Sequence, residues 1–134
     1  MELTTPNDTV KTPVERFTGD VYMTPIKGPT PPSQLVASLV RFTPGARTNW
    51  HSHAVGQTLH VTEGIGLVVN RDGTVIRMRA GDTIWTPPGE EHWHGGTAAN
   101  FMCHLALLEA VADGDGTTWL EPVTDEQYQT ANNQ

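Results

Sequence analysis

The first thirteen residues, MELTTPNDTVKTP, are polar and broken by proline, and they read as a flexible tail. GPTPPS at 28–33 reads as a loop, because proline removes a donor and fixes φ. From residue 35 onward short apolar runs alternate with turn signals. LVASLVRF, TNWHSHA, QTLHVT, LVV, TVIRMR, TIWT and FMCHLALLEA are separated by PGAR, VG, EGIG, NRDG, AGD and PPGEEH. No 3.6-residue periodicity links them, so the pattern predicts many short strands. Asp72-Gly73, between Val68-Val69 and Val75-Ile76, predicts a hairpin. VADGDGTT at 111–118 reads as a loop, and the capping-box spacing of Thr124 and Gln127 predicts a short helix from about 125. There is no internal repeat. The fold class is all-β, a single-domain sandwich or small antiparallel barrel over 14–128, with a C-terminal tail at 129–134.

Alternate residues of a strand face opposite sides, so parity assigns an interior. Over 35–43, Arg41 and Thr43 share a face with Leu35, Ala37 and Leu39; an unpaired arginine is rejected from a core, so Ser38 and Val40 point inward. Over 101–109, Met102, His104, Ala106 and Leu108 share one face, and Phe101, Cys103, Leu105 and Leu107 the other. Both faces are apolar, which predicts cover on both sides, from a second sheet or a second subunit. Trp50, Trp85 and Trp93 fall outward and read as packing or interface residues.

Composition narrows the function classes. Fifteen acids against eight bases give a net charge of −7, and Lys11 and Lys27 are the only lysines. A chain without a basic stripe is not a nucleic-acid binder. No apolar run approaches the ~20 residues of a membrane-spanning helix, and no basic-then-apolar leader opens the chain, so no membrane partner is expected. A single cysteine, Cys103, excludes an internal disulfide and a cysteine-rich zinc site, and it suits the cytoplasm. Cys103 faces away from His104 and reads as buried and unreactive. The acidic stretch from Asp113 to Glu126 reads as a solvated surface.

All six histidines lie between 51 and 104. His51 and His53, spaced i, i+2, leave one strand face roughly 6–7 Å apart at the backbone. Two imidazoles so placed converge on one ion with bonds of about 2.0–2.2 Å. Gln57 follows a bend at Gly56 and can return a carbonyl oxygen to the same centre, and His92 follows the Pro87-Pro88-Gly89 turn. Three imidazoles and one oxygen form a partial shell for a divalent first-row ion, with positions left for substrate or water. His94 shares the face of His92 and is either a support for the shell or a catalytic group. His60 has the opposite parity to Gln57, Leu59 and Val61 and reads as outward and inert.

The spacing carries a resemblance. Gly45–Gly64 reads G-(5)-H-x-H-(3)-Q-(6)-G, and Gly81–Gly96 reads G-(5)-P-x-G-(2)-H-(3)-G. These resemble the two motifs of the cupin superfamily, which implies a small antiparallel β-barrel with a metal inside. Gln57 stands where most cupins have glutamate, and Gly96 where many have asparagine. A neutral ligand leaves the site one negative charge short, so a dipositive ion there stays a stronger Lewis acid. FTPGARTNWHSHAVGQTLHVTEG, GDTIWTPPGEEHWHG, MCHLALLE and VTDEQY further resemble the small bacterial cupin hydroxynitrile lyases, from about Phe17 to Tyr128. That likeness implies manganese(II), one per chain, on His51, His53, Gln57 and His92, with His104 above it, in a homo-oligomer. Fe(II), Ni(II) and Zn(II) also suit such a shell.

The expected function is then cleavage and synthesis of cyanohydrins from an aldehyde and cyanide. The ion acts as Lewis acid, His104 exchanges a proton with cyanide, His94 is the second candidate catalytic group, and Ser38, Val40, Met102 and Leu108 line the substrate pocket. Two alternatives stand beside it: an iron-dependent dioxygenase of a small chelating substrate, and a non-catalytic, metal-dependent binder of a small metabolite. The expected assembly is a homodimer or homotetramer.

Overall fold

The computed structural model describes residues 1–134. Its strands are β1 (Val10–Lys11), β2 (Phe17–Thr18), β3 (Val21–Lys27), β4 (Leu35–Phe42), β5 (Arg47–Thr48), β6 (His51–His53), β7 (Gln57–Asn70), β8 (Val75–Arg79), β9 (Thr83–Thr86), β10 (His92–Gly96), β11 (Met102–Glu109) and β12 (Thr117–Trp119). One helix, α1 (Asp125–Asn132), follows. All pairings are antiparallel, in the order β1-β3-β4-β11-β7-β10-β5-β2, with β8 and β9 on β7, and β6 between β10 and β12. The expected small antiparallel barrel is present. The hairpin at Asp72-Gly73 forms, with Val69 opposite Val75.

One long strand joins the two halves of the barrel. The first half of β7 pairs with β11 and β9, and its second half with β10 and β8. The EGIG stretch is therefore a bend within a strand, where the sequence pattern suggested a turn between two. Gly64 permits the bend: its φ is +79°, and a Cβ there would collide with the Phe101 carbonyl. Gly95 serves closeness instead, since the Ala46 carbonyl occupies the place of its Cβ. That contact presses β5 against β10 and brings Thr48 beside the histidines.

Two cores result. Inside the barrel, Val21, Val40, Phe42, Leu59, Val61 and Met102 pack together. Outside it, Trp50, Leu67, Val69 and Trp93 are covered by Val123, Tyr128 and Ala131. Trp50 and Trp93 are thus covered by the chain's own helix, leaving Trp85, 58% exposed, as the outward tryptophan still open to solvent. The helix starts where expected: the Thr124 side chain accepts from the Gln127 N–H, and the Gln127 side chain accepts from the Thr124 N–H. Tyr128 Oη then donates to Gly96 O at 2.7 Å, pinning α1 to β10.

The domain is wider than its expected limits. Val10 and Lys11 pair with Met23 and Tyr22, and buried Thr12 donates to Val21 O, so residues 10–12 belong to the sheet rather than to a tail. At the other end α1 continues to Asn132, with Ala131 buried. Strand β3 was hidden by Pro25, which sits at a register shift against β4. Strand β12 lies partly within the stretch expected as loop, with Thr117 opposite His53 and Trp119 opposite His51. The acidic end is not only solvated surface. Asp125 pairs with Arg47 at 2.8 Å, and Glu121 with Arg71 at 2.7 Å.

Candidate metal centre and adjoining pocket

The three expected histidine ligands meet because three short strands lie side by side. In β6, Ser52 faces out while His51 and His53 face in. Strand β10 places His92 opposite His51, and β12 places Thr117 opposite His53. The ligating nitrogens of His51, His53 and His92 lie within 4.8 Å of one another, and all three residues are buried. Gln57, the first residue of β7, is buried beside them.

Backbone and hydroxyl partners aim the rings. His51 Nδ1 donates to Asn49 O at 2.9 Å, and His92 Nδ1 donates to Glu90 O at 3.0 Å. A carbonyl only accepts, so both rings carry the proton on Nδ1 and leave Nε2 as a lone pair. His53 Nδ1 meets Thr117 Oγ1 at 3.0 Å, and its buried Nε2 has no partner. His92 Nε2 lies 3.2 Å from Gln57 Oε1. Two acceptors this close repel unless a cation joins them, and ~3 Å is the spacing of neighbouring donors on one ion with bonds of ~2.0–2.2 Å. The donor set therefore fits a divalent ion.

A second histidine pair adjoins the first cluster. His94 Nδ1 and His104 Nε2 are hydrogen-bonded at 3.0 Å, and Phe42 lies against both rings. Their outer nitrogens, His94 Nε2 and His104 Nδ1, are buried without partners. Thr48 Oγ1 accepts from the His94 backbone N–H at 3.2 Å and fixes that strand. Burial holds all five imidazoles toward the neutral form. His53 and His104 are lowered to about 4, chiefly by desolvation, and His51 and His94 fall well below their ordinary value for the same reason, reinforced by neighbouring imidazoles. His92 is lowered by burial, against an opposing pull from Glu90.

His51, His53 and Gln57 of the first cluster, with His94 and His104, line a cavity of about 120 Å³. An apolar cavity of about 150 Å³ accepts a benzene ring, so the scale is that of one small aromatic or aliphatic group. Val36, Ser38 and Val40 from β4 and Ala106 and Leu108 from β11 form its walls. Ser38, Val40 and Leu108 stand where parity put them. Met102 does not: it is wholly buried in the barrel core against Gly66, away from the cavity lining. Its face is correct, but it packs in the core instead of lining the cavity. Parity with Ser38 and His104 was the signal for Val36 and Ala106. Phe17, Met23, Thr48, Asp115, Thr117 and Trp119 also line the cavity, and no local pattern marks them. Trp119 packs against the His51 ring at 4.8 Å. His60 stays outside, bonded to Thr83 Oγ1, and Cys103 is buried on the far face, as expected. A wider cleft of about 250 Å³ under α1 carries Arg71, but that guanidinium is committed to Glu91 and Glu121 and to the face of Trp50.

Comparison with known proteins agrees with this geometry. The sequence pattern of the Cupin domain family (Cupin_2) matches residues 38–106. A relative from Granulicella tundricola named (R)-mandelonitrile lyase is 45% identical over 118 residues, covering 88% of this chain and 89% of that one. The crystal structure of a cupin-like protein from Thermotoga maritima superposes with a TM-score of 0.84 at 30% identity, covering 98% and 97% of the two chains. A polyketide cyclase from Streptomyces resistomycificus shares the fold, with a TM-score of 0.67 at 18% identity over 96% of this chain and 91% of its own. No helix here is long and apolar enough to cross a membrane.

Proposed function

The chain belongs to the cupin family, and we propose that within it this protein is a metal-dependent lyase that cleaves and forms cyanohydrins. One observation carries the reading. A mutually bonded, neutral His94–His104 pair lines the same small cavity as His51, His53 and Gln57, members of the candidate donor set that His92 completes. The relative named (R)-mandelonitrile lyase supports it. An ion held by those four residues, which we take to be manganese(II), would supply Lewis acidity toward a substrate oxygen.

Cleavage breaks the bond between the carbinol carbon and the nitrile. Cyanide leaves with the electron pair, the hydroxyl loses its proton, and an aldehyde and hydrogen cyanide result. The protein must therefore accept one proton and deliver one. A neutral pair of imidazoles with one proton in the bridge offers one outer lone pair and one outer N–H, whichever ring holds the bridging proton. His104, with its pKa held down to about 4, is a free base at neutral pH. Val36, Val40, Ala106 and Leu108 hold the organic group and exclude water, and Ser38 is the one hydroxyl among these wall residues.

The test is release of benzaldehyde from mandelonitrile, followed by absorbance, with manganese-loaded and chelator-treated protein. Turnover above the spontaneous rate that disappears with the metal is expected. Fully metallated protein inactive on several cyanohydrins would refute the reading. Oxygen uptake by iron-loaded protein with a small diketone would replace it with a dioxygenase.

A further inference from the structure

The mouth of the cavity is built from segments outside the family-matched stretch of 38–106. Phe17 and Met23 come from the N-terminal strands, and Asp115, Thr117 and Trp119 from the run that ends in β12. Among them Asp115 is the sole charged side chain lining the cavity, and no lysine or arginine lines it. Asp115 also borders the broad groove outside, which Met23, Val36 and Ser38 share with it. Its carboxylate therefore stands where cavity and groove meet, on the path of an entering molecule.

That carboxylate is held in place. Asp115 Oδ1 accepts the Thr117 backbone N–H at 3.0 Å, and Thr117 Oγ1 meets Nδ1 of the metal-ligand candidate His53 at 3.0 Å. The position of the charge is thus tied to the donor set through two hydrogen bonds. The carboxylate forms no salt bridge, and the arginine at the mouth, Arg16, lies over the Trp119 ring. Lys27, in the outer groove, is turned to Gly28 O and Thr30 Oγ1, and Glu2 adds another negative group there. A substrate with its oxygen at the histidine triad and its body along the apolar walls would share the cavity with Asp115, the lining residue common to cavity and groove that carries a charge.

We propose that Asp115 sets the substrate class of this site, admitting neutral or cationic aldehydes and cyanohydrins and turning away those that carry a carboxylate. The inference rests on the lyase reading for the placement of the substrate oxygen. Asp115 is exposed, and like charges there repel enough to weaken binding by roughly two- to fivefold.

Calorimetric titration of the manganese-loaded full chain tests it, with benzyl alcohol, 4-(hydroxymethyl)benzoate and 4-(aminomethyl)benzyl alcohol as probes. Wild type should bind the carboxylate about two- to fivefold more weakly than benzyl alcohol, and the amine no more weakly. Asp115→Asn keeps the acceptor for Thr117 but loses the charge; it should close the gap, and Asp115→Lys should reverse it. Metal content and benzyl alcohol affinity are measured on each protein, and the gap is read relative to that protein's own benzyl alcohol affinity. No gap in wild type, or the same gap in all three proteins, overturns the proposal. Equal weakening of every probe with lost metal also overturns it, because Asp115 then acts only by positioning Thr117 and His53. Mandelonitrile turnover, measured on the same samples, is a separate readout: its absence with the charge gap intact fails the lyase reading and not the role of Asp115.

Discussion

Acid should unfold the metal-free protein well before its carboxylates are protonated. An unfolded histidine titrates near 6.5, whereas burial lowers His53 and His104 to about 4 in the fold. Between these values the unfolded chain binds more protons than the folded one, so stability falls as pH falls. Each of the two groups contributes a loss of about 2 kcal/mol between pH 7 and pH 5, or about 4 kcal/mol together. His51, His92 and His94 shift in the same direction and add to the loss. Against a typical stability of 5–15 kcal/mol, the effect is large. Urea unfolding of chelator-treated protein at pH 7, 6 and 5, followed by tryptophan fluorescence, measures it. His104→Gln should remove about 2 kcal/mol from the pH dependence and leave the rest. Bound metal competes with protons for the same nitrogens and should move the loss to lower pH, adding about 2.7 kcal/mol at a hundredfold excess over Kd. A metal-free protein whose stability changes by less than about 1 kcal/mol from pH 7 to pH 5 would show that these rings protonate in the fold as easily as in water, and the argument from burial would fail.

His104→Ala should lower cyanohydrin turnover by roughly 10²-fold or more with metal content intact, since it removes a proton-transfer group and no ligand. His92→Ala should lose most of the bound metal and several degrees of the metal-dependent gain in Tm; unchanged metal content by elemental analysis would take His92 out of the shell. The outer face of β11 carries Leu105 and Leu107, half-buried opposite Leu39 and Ala37 of β4, and Trp85 on β9 is open to solvent. Light scattering should therefore report a dimer or tetramer, and a stable 14.6 kDa monomer at micromolar concentration would contradict this.

The local pattern was enough for the barrel and for the three histidines that could hold a metal. Two-residue alternation put Ser38, Val40 and His104 inside and Cys103 and His60 outside, because in a strand the facing of a side chain depends only on its position in the run. The i, i+2 spacing of His51 and His53 placed both rings on one side for the same reason. Parity does not say how far along the barrel a residue sits, so Met102 has the right face and the wrong depth. It also does not say what covers an outward residue. Trp50 and Trp93 needed a covering surface, and the docking of Val123, Tyr128 and Ala131 chose α1 rather than a second subunit.

What joins distant segments was decided by tertiary structure alone. The bend at Gly64 lets β7 serve both halves of the barrel, and only a close approach to Phe101, forty residues or so away in the chain, distinguishes it from a turn. The register of β6 between β10 and β12 sets His92 opposite His51 and Thr117 opposite His53. The bond between His94 and His104 follows from two strands meeting across the barrel interior, and Asp115 reaches the cavity because β12 closes over β6. Hydrophobic alternation is written residue by residue, so a sequence carries it openly. Proton sharing, desolvation and the placing of a charge at a pocket mouth depend on which segments meet, and they exist only once the chain has closed on itself.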